Sequence, residues 1–483
     1  MAEYKCTRRA FLAATTTTAL AGSACSTFMK KATRPNVIFI VVDTLRADRL
    51  NAALQDVPIM PNHQNISDNA IVCTEAYVQE TFTKPSVASM FTSLYPDVHG
   101  VRFGSFVPAG MDDEYVQDKV LHVDVLPEHL PSLPTMLQQN GYTTIGVQTN
   151  MQLHPQAGFA NGFDEYQYLG NVRATAVSKQ AAAIIEHVKE PFFLYVHYMD
   201  PHCPYTPPRA VVDIFDPPER PAPQDVELIQ NYREYYLDLV QYGLGLSEER
   251  EMDNMSKKGR NFIKFLYNGE VRYADFEVVR LIAFIRKHYP ESLIVITSDH
   301  GEEFWEHGSI GHTKTAYREL AHVPLLFLGP DLSPQEVNTP IESIDIVPTI
   351  ADYLDLPLQN GWQGESLLPL FVDNMEPERQ FIYTSAFGMQ PWDDIQWRTI
   401  YDGNYRLVMN LSEKEAELFN IASDPFEQEP LVGKETERKE GLKKALAQIA
   451  EENENHPLKQ ETVEKVQVDE QTIEALQALG YLQ

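Results

Sequence analysis

Residues able to do metal-assisted ester chemistry fall in three short stretches of the chain. "FIVVDT" carries Asp43, "TFTKPS" carries Thr83, and "TSDHGEE" carries Asp299 and His300. A carboxylate and an imidazole that leave one strand end side by side can hold a divalent ion from one side, and Asp43 can close it from the other. Taken singly, each aspartate would pass for a turn or cap residue. Together, at separate strand ends, they argue for a metal site. The mixed oxygen and nitrogen donors suit Mn, Mg or Zn better than the all-oxygen cage that Ca favours. The expected cofactor is one divalent ion among these four. It would neutralise a bound anionic ester and lower the pKa of a coordinated hydroxyl, and the hydroxyl in question is that of Thr83. Pro85 stands where helices like to begin, with Ala88, Met90, Phe91 and Leu94 following at helical spacing and Thr83 just in front. Alone, Thr83 reads as a helix cap or as a nucleophile.

Strands must bring these groups together. Apolar, β-branched runs end in polar residues at four places: at Asp43, at Asn150 in "TTIGVQTN", at Asp200 and His202 in "PFFLYVHYMDPH", and at Asp299 and His300. "VPLLFLGP" reads as a further strand. Continuous apolar runs mark strands covered on both faces, as in a parallel α/β sheet. Ligands bind beyond the carboxyl ends of such strands. "PSLPTMLQQNGY" and "FLYNGEVRYADFEVVRLIAFIRKHY" carry helical spacing. The predicted fold is α/β, a large mostly parallel central sheet flanked by helices, with a smaller C-terminal α+β subdomain. The expected boundaries are 1–32 for an export signal and linker and 33–375 for a catalytic domain. An acidic, Tyr-rich helical insertion is expected at 207–262, and the C-terminal subdomain at 376–483. In that subdomain "QWRTIYDGNYRLVMN" reads as a hairpin around Asp402-Gly403, and a charged helical tail follows.

The chain has 483 residues, 43% of them hydrophobic, enough for a sizeable core. A net charge of −30 and a pI near 4.8 argue against nucleic-acid binding, which needs a basic face. "TRRAFLAATTTTALAGSAC" places Arg8 and Arg9 before a short apolar stretch, the layout of a twin-arginine export signal. The expected location is periplasmic or cell-surface, with Cys25 a candidate lipid-anchor site. No later segment reaches the ~20 apolar residues of a transmembrane helix. Cys73 and Cys203 lie too far apart in sequence to be declared a disulfide.

Five blocks, in order, resemble the sulfatase family of the alkaline-phosphatase superfamily, from Arg34 to Leu431. "RPNVIFIVVDTLRADRL" is similar to its first metal-binding strand. "TFTKPSVASMFTSLYPDVHGV" is similar to its Cys/Ser-x-Pro-x-Arg signature and the Tyr-Pro-x-x-His-Gly that follows. "HYMDPHCPYTPP", "SDHGEEFWEHGSIGHTKTAYRELAHVPLLF" and "ELFNIASDPFEQ" resemble its Pro-His-x-Pro-Tyr segment, its second metal-binding block and its C-terminal subdomain. The resemblance implies Asp43, Thr83, Asp299 and His300 as metal ligands and Thr83 at the nucleophile position. It implies His202 as the histidine touching the transferred group or leaving oxygen. Lys314, or His312 beside it, would sit near the substrate anion, and His307 is a weaker acid candidate. Lys84 and Asn150, next to these blocks, are expected to contact substrate, and His99 to support the site.

The departures from the family pattern are informative. Sulfatases use a formylglycine made from Cys or Ser, and threonine is not known to be converted. The signature arginine is Val87, the second aspartate of the first metal strand is Thr44, and a Gly-Lys-Trp-His block is replaced by "GVQTNMQL". A threonine in this place resembles the nucleotide pyrophosphatases and the phosphoglycerol and phosphoethanolamine transferases. A sulfated threonine is hard to break by attack at sulfur, whereas a phosphothreonine can be attacked at phosphorus. The expected substrate is a small-molecule or glycan anionic ester, foremost a phosphate or phosphonate mono- or diester. The alternatives are a sulfatase acting on sulfated sugars or aryl sulfates, and a non-catalytic anion-binding pseudoenzyme.

Overall fold

The run VIFIVV forms strand β1 (Val37–Val42), with all six residues buried. Its side chains alternate between two cores. Val37, Phe39 and Val41 face one cluster, and Ile38, Ile40 and Val42 face another on the opposite side of the sheet. This two-sided burial is why the run is apolar throughout rather than alternating.

The chain is described here by a computed structural model covering residues 34–102, 122–170, 172–230, 255–387 and 396–467. The expected export signal with Arg8, Arg9 and Cys25, residues 231–254 of the expected insertion, and the tail beyond residue 467 lie outside the described residues. After β1 come β2 (Ile71–Tyr77), α1 (Thr83–Thr92), α2 (Leu133–Gln139), β3 (Thr143–Gln148), β4 (Glu165–Tyr168), α3 (Ala174–Ile185) and β5 (Phe192–Tyr198). They are followed by α4 (Lys257–His288), β6 (Leu293–Thr297), β7 (His322–Leu328), β8 (Gln335–Val337), β9 (Ile341–Glu342) and α5 (Ile346–Tyr353). The nine strands form one sheet in the order β8-β2-β7-β6-β1-β5-β3-β4, with β9 also paired to β2. The pairings are parallel except those of β7, which runs antiparallel to both β2 and β6. The expected mostly parallel sheet is present. Helices α1, α2 and α5 cover one face, and α3 and α4 the other.

Two local outcomes refine the sequence reading. Helix α1 begins at Thr83 itself, with Phe82 extended ahead of it, so the threonine is inside the first turn rather than in front of it. Pro85 is the third residue, where a missing N–H breaks no helical bond. Helix α4 starts at Lys257, capped by the Ser256 hydroxyl, which accepts from Gly259 N. The last residues of the expected insertion therefore belong to a core helix.

Strands β10 (Ile382–Ala386), β11 (Trp397–Tyr401), β12 (Tyr405–Asn410) and β13 (Glu415–Asn420) form a second, antiparallel sheet. The expected hairpin at Asp402-Gly403 joins β11 to β12. Helix α6 (Thr436–Glu454) packs Leu442 and Leu446 against this sheet. This sheet also fixes the loop that carries Thr83. Ser385 N donates to Gln79 O (2.9 Å), and Ser385 Oγ donates to Glu80 Oε2 (2.8 Å). Cys73 and Cys203 are buried thiols, not bonded to each other.

Gly301 follows the Asp299-His300 pair, and its N–H donates to Leu320 O at 2.8 Å. A Cβ there would lie 1.9 Å from the Glu319 carbonyl oxygen. Gly301→Ala must displace the Arg318–Ala321 turn, at a cost of about 1–3 kcal/mol. Gly441, in α6, has nothing within 4 Å of its added Cβ, so Gly441→Ala is expected to be neutral or stabilising. Thermal denaturation of the two variants checks this, and equal melting temperatures would contradict the packing.

Candidate active site

Strands β6, β1, β5 and β3 are consecutive and parallel, so their carboxyl ends share one edge. Asp43 follows β1, Asp299 and His300 follow β6, His197 sits in the last turn of side chains of β5, and Asn150 follows β3. Ligand-capable atoms of Asp43, Asp299 and His300 lie within 4.8 Å of one another, and all three residues are buried.

The two carboxylates are arranged alike. Asp43 Oδ2 accepts from Asn150 Nδ2 (2.6 Å) and meets His197 Nε2 (3.2 Å), while its Oδ1 is buried with no hydrogen-bond partner. Asp299 Oδ1 accepts from Thr44 N (3.2 Å) and His300 N (3.0 Å), while its Oδ2 has no well-directed hydrogen bond. An unsatisfied buried polar group costs about 1–3 kcal/mol, more when charged. Two such oxygens beside an imidazole nitrogen are the donor set a divalent cation takes, so these residues fit the expected ion. Electrostatics agrees. Burial alone would raise Asp43, yet the imidazoles of His202, His197 and His300 hold it well below the usual carboxylate range. Burial and the neighbouring Asp43 charge push Asp299 up. A cation between them would relieve that conflict.

Thr44 occupies the family's second-aspartate position. Its φ of 55° is left-handed, an outlier for a β-branched residue, and it aims the Thr44 N–H at Asp299. Its main chain thus ties down Asp299 where the family pattern has a second carboxylate.

Thr83 lies beside this cluster. Its Oγ1 is 3.3 Å from His300 Nε2 and 3.3 Å from Asn150 Nδ2. As the first residue of a ten-residue helix, it sits at the positive end of the helix dipole. His300 Nδ1 is 2.9 Å from Gly301 O; donation there leaves Nε2 with its lone pair toward Thr83 and the carboxylates. Asn150 caps the turn Met151–Leu153, its Oδ1 accepting from Gln152 N at 2.8 Å. That bond aims its amide N–H groups at Asp43 and Thr83.

The second imidazole layer is built by a small hairpin. Glu303 pairs with Gly311 and Phe304 with Ile310, which sets Glu302 opposite His312. Glu302 Oε1 is 2.9 Å from His312 Nδ1, and its Oε2 accepts from Tyr205 OH (2.8 Å). The His312 ring lies 4.4 Å from that of His300 and 5.1 Å from that of His202. His202 Nδ1 is 2.6 Å from Cys203 O.

Other expected site residues have different surroundings. Lys84 Nζ donates to Asp124 O (2.8 Å), and burial pushes its amine down to about 7; it ties α1 to the chain at Asp124. Consecutive helix residues point about 100° apart, so adjacency to Thr83 does not aim it at the site. Lys314 Nζ donates to Ser309 Oγ (3.4 Å), and it is His312 that reaches the imidazole cluster. His307 stacks on Tyr317 with centroids 3.5 Å apart, its nitrogens meeting Glu319 Oε1 (2.7 Å) and Glu427 O (2.9 Å). His99 meets Ser89 Oγ (3.0 Å) and accepts from Val101 N (3.1 Å), bracing α1 instead of facing Asp43. Two residues of the site escape the sequence reading, His197 and Glu302. His197 had a usable signal, since it closes an apolar strand two residues after Tyr195. Glu302 sat unweighed in "DHGEE".

Burial alone would lower His307, but the hydrogen bond and charge of Glu319 push it up to about 9. In the unfolded chain a histidine releases its proton near ~6.5. The stabilisation His307 provides is therefore complete below about pH 6.5 and is lost as pH rises through about 9. The gap in melting temperature between wild type and His307→Gln is expected to be widest near pH ~6 and to shrink toward pH ~9.5. Calorimetry across that range checks it, and a gap independent of pH would refute a charged His307.

The Sulfatase family model matches residues 35–356, and the model of the N-sulphoglucosamine sulphohydrolase C-terminal region matches residues 306–454. The sulfatase YidJ of Escherichia coli is 24% identical over 443 residues, covering 83% of each chain. Among solved structures, a protein in complex with its substrate D-glucosamine-2-N,6-O-disulfate superposes with a TM-score of 0.68 at 19% identity, covering 89% of this chain and 100% of the other. The phosphonate monoester hydrolase of Silicibacter pomeroyi superposes with a TM-score of 0.65 at 20% identity, covering 87% and 96%. With its sheet, its strand-end carboxylates and two-thirds of its length matching one family model, the chain belongs to the sulfatase family.

Proposed function

We propose that this sulfatase-family hydrolase cleaves phosphate or phosphonate mono- or diesters with Thr83 as its nucleophile. The observation that carries the reading is Thr83 Oγ1 itself, 3.3 Å from both His300 Nε2 and Asn150 Nδ2 beside the bare oxygens of Asp43 and Asp299. A divalent ion held by Asp43, Asp299 and His300 would supply Lewis-acid charge neutralisation and a lowered pKa for a nearby hydroxyl. Thr83 releases its proton to solvent and its Oγ attacks phosphorus; the bond to the ester oxygen breaks, and a phosphothreonine forms. The dipole of α1 and the Asn150 amide favour the negative charge that develops at this oxygen. His312, whose Nδ1 is held by Glu302, protonates the departing oxygen through its other nitrogen. It then takes a proton from the water that attacks phosphorus; the bond from phosphorus to Thr83 Oγ breaks, and the freed oxygen regains a proton from solvent. His202, 5.1 Å from it ring to ring, lines the same side.

A second reading, hydrolysis of sulfate esters, is favoured by the family match and by the disulfated sugar bound to a structural neighbour. The two separate on one plate. Protein with Mn2+ is assayed on p-nitrophenyl sulfate, phosphate, a phosphodiester and a phosphonate, with intact-mass analysis of residue 83. The expected outcome is phosphorus-ester activity that is abolished by chelator and restored by Mn2+ or Zn2+. Thr83→Ala and Asp299→Ala should each lower kcat by about 10³-fold or more, with residue 83 unmodified. Dominant sulfatase activity that survives Thr83→Ala would overturn the proposal.

Export by the twin-arginine route belongs to the same proposal. Full-length protein is expected in the periplasmic fraction, and replacing both Arg8 and Arg9 with Lys should retain it in the cytoplasm. Unchanged fractionation would count against the signal.

A further inference from the structure

His197 has no place in the chemistry above, yet it is completely buried and touches Asp43. It shares a face of β5 with Tyr195, two residues earlier, because side chains alternate along a strand. Tyr195 OH is 2.9 Å from His197 Nδ1. The phenol is wedged among Phe39, Phe91 and Phe163, and burial raises its pKa well above the ordinary value. Tyr195 therefore keeps its proton and can donate it to Nδ1. With Nδ1 accepting from the phenol, the imidazole N–H is that of Nε2, 3.2 Å from Asp43 Oδ2 and 3.8 Å from Asp299 Oδ2. Asp43 Oδ2 thus receives two donors, the His197 N–H and the Asn150 amide at 2.6 Å, while Oδ1 receives none.

We infer that Tyr195 and His197 form a positioning pair that holds Asp43 as a single-oxygen metal ligand, with Oδ2 tied back and Oδ1 turned to the ion. The inference rests on the metal-dependent reading of the site. Without the pair, the carboxylate could rotate about its Cβ–Cγ bond or bind through both oxygens. Hydrogen bonds of this kind to a ligating group typically govern 10–100-fold in metal affinity.

The test is Mn2+ binding to the purified protein, read as the loss of the free-ion electron paramagnetic resonance signal. Melting temperature and circular dichroism of each variant are recorded alongside. His197→Leu is expected to weaken Mn2+ binding by about 10–100-fold. His197→Gln, whose amide N–H can still reach Asp43, should stay within about threefold of wild type, and Tyr195→Phe should fall between. Wild-type affinity in Tyr195→Phe, or in a folded His197→Leu, would overturn the inference and leave the metal-dependent reading standing. It would also be overturned if His197→Gln were as weak as His197→Leu and X-ray absorption of the Zn-loaded protein lost one imidazole, since His197 would then be a ligand. Wild type that takes up no divalent ion would overturn the reading of the site itself. Because Tyr195→Phe removes only one hydroxyl, it decides the question even if His197→Leu fails to fold.

Discussion

Each of the two central aspartates has one oxygen tied into protein hydrogen bonds and one left bare in a fully buried place. This division is the constraint on which the rest of the site depends. A carboxylate free to turn would share its hydrogen bonds between both oxygens and relieve the cost of burial. Here Asn150 and His197 claim Oδ2 of Asp43, and the N–H groups of Thr44 and His300 claim Oδ1 of Asp299. The bare oxygens are therefore imposed by their neighbours, and charge buried in this way needs a partner, an imidazole or a cation.

Imposing that geometry draws on the whole sheet. Asn150, Asp43, His197 and Asp299 come from four consecutive parallel strands, β3, β5, β1 and β6 in spatial order, so none can shift without its neighbours. The left-handed backbone at Thr44 stores conformational strain, of order 1–3 kcal/mol for such a residue, and the packed ends of β1 and β6 hold it. Ser298 Oγ accepts from Leu45 N (2.9 Å) and donates to His300 O (2.7 Å), pinning the strained turn to the one that carries Asp299 and His300. Thr83 is fixed from the other side, by α1, whose ten residues are all buried, and by the contacts of Gln79 and Glu80 with Ser385. Thr83 is thus placed by its own helix, and the carboxylates by the ends of the strands on which that helix packs.

The legible parts of this arrangement were those written in local pattern. Strands buried on both faces could be read from their unbroken apolar runs, and Asp43, Asp299 and His300 from the way those runs end. Whatever depended on partners distant in sequence stayed hidden. Nothing in "VPLLFLGP" encodes that β7 runs opposite to its neighbours. The acidic composition before residue 257 concealed the start of α4, because a helix that buries one face tolerates any charge on the other. His197 was overshadowed by the more recognisable His202 five residues later. Lys84 looked like a site residue through adjacency to Thr83, although helical rotation sends its amine to Asp124. Lys314 and His312 could be separated only by the hairpin register that sets His312 against Glu302.

The departures from the family pattern are mutually consistent. Val87, where the family's signature has an arginine, is completely buried in the core cluster that also holds Val41 and Phe91, so no guanidinium could stand there without unpaired burial. The second aspartate is gone, and at its position the Thr44 main-chain N–H donates to Asp299 Oδ1. The Gly-Lys-Trp-His block is gone, and Asn150 from the replacing segment bridges Asp43 and Thr83. In place of arginine and lysine, the groups gathered around the threonine are imidazoles and an amide, which donate hydrogen bonds and move protons at neutral pH. Formylglycine chemistry needs its geminal hydroxyls to expel sulfate, whereas a lone threonine hydroxyl needs a partner that takes its proton and another that returns one to the leaving group. Around Thr83 stand His300, 3.3 Å from its hydroxyl, and His312, whose ring lies 4.4 Å from that of His300. On the proposed phosphorus-ester reading, the missing cations and the imidazoles present fit one change, from a site that regenerates an aldehyde to one that regenerates an alcohol.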